Sequence, residues 1–314
     1  MTDRRLKFWG WGHEDQTLSE TAARAIASRT GDLTGLTGQD YTAPPALDEI
    51  TLPKPRFKPP ASLEALVSQS DYDRAAHTYG KSYPDYIRAF ARDFSPAPDA
   101  VAFPETPADI VNLLDWAADA NAAVIPFGCG STVVGGIEPR VGDGFTGTIT
   151  VDMRRMNKVL EIDETSRAAR IQAGALGPQL EAGLKPSGLT LRHFPQSFEF
   201  STLGGWIATR SGGHFATLFT HIDELVESMT TVTPTGTIES RRLPGSGAGP
   251  SPDRFIIGSE GSLGFITEAW MRIHARPTFR RSAAIRFTDF AAAGQSIRAV
   301  LQAGLWPTNA RLVD

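Results

Sequence analysis

Cysteine is nearly missing from the sequence, which has Cys129 alone among its 314 residues. No disulfide can form within such a chain, and we expect a reducing, cytoplasmic location. No run of about 18 apolar residues occurs, so we expect no membrane-spanning helix. The first residues, MTDRRLKFWGWGHEDQ, lack the apolar stretch of a secretory signal, and the last, ARLVD, do not match a peroxisomal address.

An excess of positive charge is also missing. The sequence has 31 Lys and Arg against 35 Asp and Glu, a net charge of -4. Proteins that follow a nucleic-acid backbone show a basic face, so we expect no nucleic-acid partner. The chain is 41% hydrophobic and 21% charged, a composition typical of globular proteins, and it is long enough for about two domains.

The first 93 residues are predicted to form an N-terminal arm and a helical segment. Residues 1–60 should be irregular, because six prolines between positions 44 and 60 interrupt helices and central strands. A helix is expected to follow from Ser62, a candidate N-cap, because the segment SLEALVSQSDYDRAAHTYG has helical spacing.

The next segment, residues 94–277, alternates short strands and helices and is predicted to be the main α+β domain. Its predicted strands are 101–104, 122–127, 148–152, 159–163, 169–173 and 265–274, with a hairpin over 227–233 and 237–241. One helix should begin at Pro107, capped by Thr106, and another carries Leu176, Leu180 and Leu184. Residues 278–314 are expected to begin a second domain with strand 282–287, helix 290–304 and strand 308–313, and to continue past Asp314.

A glycine-rich loop, PFGCGSTVVGG at 126–136, follows one predicted strand. Glycines let a backbone turn successive amides inward, which suits phosphate oxygens. By itself the loop is equally consistent with a tight connection. It lacks the Gly-Lys-Ser/Thr ending of a phosphate-binding Walker loop and the spacing of a Rossmann fingerprint.

Two further glycine motifs lie downstream. In QSFEFSTLGGWIATRSGG, at 196–213, Ser201 and Thr202 precede a predicted helix whose N-terminus would face the same phosphates, or which is simply a capped helix. In FIIGSEGSLGFITEAWMRI, at 255–273, three glycines precede a strand whose edge would contact an adenine, or form a plain turn.

The order and spacing of these three motifs resemble the FAD-binding half of the vanillyl-alcohol-oxidase, or p-cresol-methylhydroxylase-type, superfamily. Within it the sequence is most similar to the alkyldihydroxyacetonephosphate synthase family. The distinguishing segment is Trp9-Gly10-Trp11-Gly12, which D-lactate and glycolate oxidoreductases of the superfamily usually lack. The resemblance implies an α+β fold: a two-subdomain FAD-binding domain of this type, with the start of a second, α+β cap domain.

The resemblance also implies where FAD is bound. The first segment, 126–132, would hold the pyrophosphate. The second and third, 196–202 and 209–212, would hold the ribityl chain, pyrophosphate and flavin edge, and the fourth, 260–266, would approach the adenine side. The implied contacts are Pro126, Phe127, Gly128, Cys129, Gly130, Ser131, Thr132, Gln196, Ser197, Phe198, Glu199, Phe200, Ser201, Thr202, Thr209, Arg210, Ser211, Gly212, Glu260, Gly261, Ser262, Leu263, Gly264, Phe265 and Ile266.

Two departures from the family's first loop bear on the cofactor. Cys129 replaces a glycine, and we interpret it as a small buried filler. Ser131 and Thr132 stand where relatives that tether flavin carry a histidine, so we expect non-covalent FAD. Of the other candidate side chains, His193 precedes Phe194-Pro195 and is a candidate to approach the flavin. No histidine pair has metal-ligand spacing supported by carboxylates, so we expect no metal.

The activity implied by the resemblance is exchange of the acyl group of acyl-dihydroxyacetone phosphate for a fatty alcohol, with no net redox work by FAD. The family's acid/base tyrosine and histidine-rich loop lie beyond position 314, so we expect the catalytic residues there. From this chain alone we expect weak FAD binding or none, and little turnover. A membrane-surface contact and a homodimer of the full-length form are also implied. Two alternatives stay open: an FAD-dependent oxidoreductase acting on a hydroxy acid or alcohol, and a truncated, non-catalytic flavin-binding module.

Overall fold

The computed structural model describes residues 4–35, 41–215, 217–243 and 245–313. The chain divides into two compact units, residues 1–103 with 113–152 and residues 104–112 with 153–314. Both units mix helices and strands, which confirms the predicted α+β class. No helix in the described ranges is both long and apolar enough to cross a bilayer.

The first unit is built on a small sheet. The elements of this unit, including α4, which begins in the second unit, are α1 (Glu20–Thr34), β1 (Val67–Ser68), α2 (Asp71–Ala76), α3 (Tyr83–Phe90), β2 (Ala100–Ala102), α4 (Pro107–Asp119), β3 (Ala122–Phe127) and β4 (Gly147–Asp152), with 3-10 turns at Glu14–Gln16, Leu47–Glu49 and Ala61–Leu63. The strands of the sheet lie in the order β1-β2-β4-β3. Strands β2, β4 and β3 are parallel, and β1 joins the edge antiparallel to β2.

Strand β4 is the centre of this sheet, and all six of its residues are buried. A strand buried on both faces carries apolar and β-branched residues throughout, as the sequence GTITVD largely does. Its neighbour β3 runs parallel in a continuous register that ends with Phe127 opposite Asp152. The carboxyl ends of both strands therefore lie side by side where the glycine-rich loop begins.

The proline-rich part of the arm, residues 44–60, is bound to this unit by an ion-dipole contact at Pro53 and an ion pair at Arg56. The guanidinium of Arg74 is buried and donates to the carbonyl oxygens of Pro98 (2.7 Å) and Pro53 (2.5 Å). The buried carboxylate of Asp99 accepts from the Arg56 side chain at 2.7 Å and from the amides of Arg56 and Thr148, both at 2.8 Å. Burial raises the pKa of Asp99, but these bonds more than offset it and hold the pKa below its ordinary value.

Two local predictions for the N-terminal segment are wrong. Residues 1–60 were predicted to be irregular because of the prolines between positions 44 and 60. Within this segment, however, residues 20–34 form helix α1, which is capped by the Ser19 side chain. The helix expected from Ser62 instead begins at Asp71, because Ser70 provides the cap and residues 67–68 pair as β1. Residues 1–3 and 36–40 of the predicted irregular arm lie outside the described residues.

The elements of the second unit are β5 (Val159–Asp163), β6 (Ala168–Gln172), α5 (Gly177–Leu184), β7 (Leu189–Thr190), α6 (Leu203–Ala208), β8 (Val226–Thr233), β9 (Gly236–Glu239), α7 (Asp253–Ile256), β10 (Phe265–Arg272), β11 (His274–Ala275) and α8 (Phe290–Gln302), with 3-10 turns at Met153–Arg155, Lys185–Ser187, Phe198–Phe200 and Ile222–Glu224. A five-stranded antiparallel sheet has the order β5-β6-β10-β8-β9, and a separate two-stranded pair joins β7 to β11. Helices α5 and α6 pack against the five-stranded sheet around a core that includes Leu180, Leu203 and Ile207.

The structure of residues 278–313 differs from its prediction. Helix α8 forms close to the expected bounds, capped by the Asp289 side chain, whose Oδ1 accepts from the amide of Ala292 at 2.7 Å. Neither predicted strand, 282–287 or 308–313, forms within these described residues. A strand needs a neighbour for its backbone groups, and alternating side chains alone do not supply one. Asp314 lies outside the described residues.

Replacing Asp99 should destabilise the chain. Asp99→Ala leaves the amides of Thr148 and Arg56 without an acceptor, and we expect a loss in the free energy of unfolding on the order of 3 kcal/mol. Asp115→Ala, at an exposed position of α4, is the matched control and should change it by less than about 0.5 kcal/mol. Urea unfolding followed by circular dichroism measures both. Equal stability of the two variants would contradict the assigned role.

Candidate functional site

The glycine-rich loop leaves β3 in the first unit. Gly130 has a φ of +71°, a conformation that glycine adopts without strain. A Cβ built there would lie 2.7 Å from Cζ of Phe127, so a larger residue would also collide. Within the described residues, the amides of Gly130 and Ser131 donate no hydrogen bond. Open amides in a turned loop are what a phosphate group requires.

The far end of the loop is fixed by an earlier part of the same unit. The amide of Lys81 donates to the carbonyl of Thr132 at 2.8 Å. Gly80 packs so closely that a Cβ there would lie 2.4 Å from the same oxygen. The loop is therefore anchored at both ends, by strand β3 and by residues 80–81.

The motif at 196–202 lies in the second unit, and its hydroxyls are largely engaged by the protein. Ser201 is buried, donates to the carbonyl of Ser197 at 2.8 Å and accepts from Nε1 of Trp206 at 2.7 Å. Thr202 caps α6 by accepting from the amide of Gly205 at 3.2 Å. These side chains order the turn through bonds within the protein, and the cofactor contacts implied for Ser201 and Thr202 stay a prediction.

The N-terminus of α6 is also engaged. The amide of Leu203 donates to the carbonyl of Ala175 at 3.0 Å, and that of Gly204 donates to Ala173 at 2.7 Å. These are the amides that a bound anion would need at a helix N-terminus. These two amides therefore form a backbone clamp to the residues that follow β6, as expected of the alternative reading as a capped helix.

The segments 209–212 and 258–266 are brought together at the other end of α6. The amide of Gly258 donates to the carbonyl of Ile207 at 3.1 Å, and that of Glu260 donates to Ala208 at 2.9 Å. Four residues of this turn have a positive φ angle: Gly258, Glu260, Gly261 and Gly264. In the described part of the chain the amides of Gly261, Leu263 and Gly264 donate no hydrogen bond, so this turn offers a second set of open donors.

A charged cluster that the sequence did not reveal lies beside this turn. The buried carboxylate of Asp223 accepts from Nε of Arg210 at 3.2 Å and from Nη1 of Arg254 at 2.5 Å, both on the same oxygen. Both arginines are more than half exposed, and the cluster carries one net positive charge. Arg210 itself has a φ of +51°. A surface of this kind attracts anionic groups such as phosphates.

His193 is buried beneath the 209–212 segment. Its Nε2 lies 2.9 Å from Oγ of Ser211, and its ring packs on that of Trp206 with centroids 5.3 Å apart. Burial, followed by the charge of His221, lowers the pKa of His193 to about 4. The ring is therefore neutral near pH 7 and orients the Ser211 hydroxyl. Of the other histidines in this unit, His214 contacts Arg311 and His274 stacks on Phe219.

The described residues fit a dinucleotide such as FAD. Taken by itself, each unit has a glycine-rich turn with open amides that suit phosphate oxygens, and the turn of the second unit adjoins exposed arginines. Cys129 is buried, as expected for a filler. Among the residues described, no three His, Cys, Asp or Glu side chains gather closely enough to hold a metal ion, and the absence of a metal stays a prediction.

Comparison with known proteins gives the class. An FAD binding domain family matches residues 98–241. Alkyldihydroxyacetonephosphate synthase of Dictyostelium discoideum is 43% identical over 241 residues, which are 77% of this chain and 39% of that protein. The enzyme of the same name from Trypanosoma brucei brucei is 34% identical over 270 residues, covering 84% of this chain and 44% of the relative. A solved structure of an alkyldihydroxyacetonephosphate synthase superposes with a TM-score of 0.82 at 34% identity, covering 97% of this chain and 61% of that one.

The chain is thus an FAD-binding flavoprotein of the p-cresol-methylhydroxylase type, as its motifs predicted. Within that class it belongs to the alkyldihydroxyacetonephosphate synthase family. The matched part spans 39% to 44% of the length of these two curated relatives.

The buried His193 should make stability depend on pH. Its folded-state pKa of about 4 lies below the ordinary 6.5, so between these values only the unfolded chain binds the proton. The free energy of unfolding should therefore fall as the pH drops through this window, by up to about 3 kcal/mol. His193→Gln should flatten this part of the pH profile. Urea unfolding of both proteins between pH 4 and 7.5 checks it, and parallel profiles would contradict the assignment.

A side chain at Gly130 should impair FAD binding. Gly130→Ala adds strain at a left-handed φ and a collision with Phe127, so we expect about tenfold weaker binding or more. Gly188→Ala is matched in φ, at +69°, has open space around the new Cβ, and should keep wild-type affinity. Titration of the FAD-free chain with FAD, followed by flavin fluorescence, measures both. Equal affinities of the two variants would contradict this assignment.

Proposed function

We propose that this protein supplies the cofactor-holding part of an enzyme that exchanges the acyl group of acyl-dihydroxyacetone phosphate for a fatty alcohol. The observation that carries the proposal is the structural match to alkyldihydroxyacetonephosphate synthase over 97% of the chain. It is supported by 43% identity to the Dictyostelium enzyme, and by the Trp9–Gly12 segment that the sequence shares with this family.

The residues proposed to hold FAD follow the order of the motifs. The turn at 126–132 would bind the pyrophosphate through its open amides. The segments at 196–202 and 209–212 would form the surface along the ribityl chain and flavin edge, and the turn at 260–266 would bind the adenine side. FAD, when bound, supplies an electrophilic ring system that takes part without net oxidation or reduction.

The protein's own groups would act on FAD by positioning it. Ser201 and Thr202 order the turn from which neighbouring backbone groups reach the cofactor. The neutral ring of His193 holds Ser211 in one rotamer. The exposed guanidinium groups of Arg210 and Arg254 offset negative charge at this surface. We propose non-covalent attachment, because Ser131 and Thr132 offer no imidazole for a flavin bond.

The rest of the assignment belongs to the same proposal. Residues 94–277 would form the FAD-binding domain, after an N-terminal segment of 93 residues, and residues 278–314 would begin the substrate-binding cap. Support for a cap comes from exposed large apolar side chains at Ile285, Leu305 and Trp306, which are typical of surfaces that pack against further structure. Lipid substrates, a membrane-surface contact, a homodimer, a cytoplasmic location and catalytic groups in a further segment rest on the family resemblance.

A segment exchange tests the proposed activity. Residues 94–277 would replace the matched segment of the Dictyostelium enzyme, which then supplies every group outside it. We expect the chimaera to bind FAD, release it on acid precipitation, and form alkyl-dihydroxyacetone phosphate and free fatty acid only when a fatty alcohol is added. A chimaera that carries FAD but has no exchange activity would contradict the proposal. Bleaching of the flavin by D-lactate or glycolate without air would favour an oxidoreductase instead.

A further inference from the structure

A buried histidine lies under the glycine-rich loop, outside the residues that the FAD binding domain family matches. His77 follows α2 and is 2% exposed. Its Nε2 lies 2.9 Å from Oδ2 of Asp152, the last residue of β4, and its Nδ1 lies 2.6 Å from the carbonyl oxygen of Asp73. The histidine therefore joins the N-terminal segment to the carboxyl end of the central strand.

Both partners of His77 are hydrogen-bond acceptors. A backbone carbonyl accepts only, so Nδ1 donates to Asp73. The contact with the carboxylate of Asp152 also needs a proton, carried by Nε2 or by the carboxyl group. The imidazole ring is thus bonded at both nitrogens, and its orientation is fixed in a buried environment where a lost bond is costly.

The orientation of this ring is transmitted to the loop by packing. The ring of His77 lies against that of Phe127, with centroids 4.4 Å apart, and meets Phe103 edge-on at 5.9 Å. The tip of Phe127 in turn lies under Gly130, where a Cβ would be 2.7 Å away. Displacement of His77 would let the ring of Phe127 shift. The contact of Phe127 with Gly130 would then no longer hold Gly130 in its left-handed conformation.

The same N-terminal segment contacts the loop at a second point. Gly80 lies against the carbonyl of Thr132, and the amide of Lys81 donates to that oxygen at 2.8 Å. Ser82 and Asp85 fix the turn by capping α3 reciprocally, with Ser82 N to Asp85 Oδ2 at 2.9 Å. Residues 71–85, which we term the brace, therefore hold the loop at its start and at its end.

We propose that the brace is part of the cofactor site, with His77 and Gly80 as positioning residues that hold the phosphate-binding loop in its ligand-ready conformation. Neither residue needs to touch the cofactor. The inference rests on the FAD assignment and extends it to residues upstream of the matched domain. It assigns the brace a role in cofactor affinity beyond its contribution to folding.

Paired substitutions at His77 test the role of each ring nitrogen. In His77→Gln the side-chain amide can take the place of Nε2 and keep the bond to Asp152, whereas in His77→Asn it takes the place of Nδ1 and that bond is lost. We expect FAD affinity about tenfold weaker for His77→Asn and within about threefold of wild type for His77→Gln. Gly80→Ala, which pushes on the Thr132 carbonyl, should also weaken binding about tenfold or more.

Gly142→Ala is the matched control, because a Cβ there meets nothing within 4 Å. Flavin fluorescence gives the dissociation constants of the full chain, and thermal unfolding of the FAD-free proteins gives their stability. Weaker binding at a temperature where every variant is fully folded supports the inference. Unchanged affinity in His77→Asn and Gly80→Ala, or equal losses in His77→Gln and His77→Asn, would overturn it.

Amide hydrogen exchange of the FAD-free chain separates this inference from the cofactor assignment. The Lys81 amide should exchange faster in His77→Asn than in wild type, while amides of β6 and β10 stay unchanged. A wild-type chain that takes up no FAD would show that these residues alone do not bind the cofactor, and the role of the brace in affinity would be overturned with it. Unaltered exchange at Lys81 would overturn the brace whether or not FAD binds.

Discussion

The parallel pairing of β3 with β4 is the constraint on which the glycine-rich loop of the first unit depends. It ends with Phe127 opposite Asp152, so the loop leaves the sheet at a fixed point beside a buried carboxylate. Parallel strands present their carboxyl ends at one edge, which is where α/β sheets bind ligands. The ring of Phe127, the bond from His77 to Asp152 and the turn at Gly130 all follow from this register.

The second unit reaches a similar result by different means. Its sheet is antiparallel, and its turns are held by backbone bonds to the two ends of α6: Ala173 and Ala175 at the start, Gly258 and Glu260 at the finish. In both units the turns have open backbone amides, while the backbone groups that hold the turns in place are hydrogen-bonded. Such a division lets a rigid frame present unpaired donors without exposing the core.

Much of the fold could be predicted from the sequence, because the signals for these elements are local. Strand β3 and the cap of α4 at Thr106 were predicted correctly, since a short apolar run and a capping side chain can both be recognised from adjacent residues. The cofactor was also predictable, because three glycine motifs in a set order are specific when taken together. Strand 282–287 was predicted wrongly, because pairing depends on a partner that neighbouring residues do not specify.

The supporting side chains could not be predicted, because their partners are distant in sequence. His77 and Asp152 are 75 residues apart, and Arg254 and Asp223 are 31 residues apart. The partners of Ser201 were not predicted either, although they lie only four and five residues away. A hydroxyl before two glycines suits a phosphate, but the indole of Trp206 and the carbonyl of Ser197 lie nearer and satisfy it within the fold.

The backbone clamp at the start of α6 has a consequence for how this family can diverge. Its bonds run from the amides of Leu203 and Gly204 to the carbonyls of Ala175 and Ala173, so no side-chain functional group is needed to make them. Only size is restricted, since a Cβ at Gly204 would lie 2.8 Å from that of Ala173. Surrounding positions are therefore free to exchange polar groups and adapt to new substrates, while the helix keeps its place on the sheet.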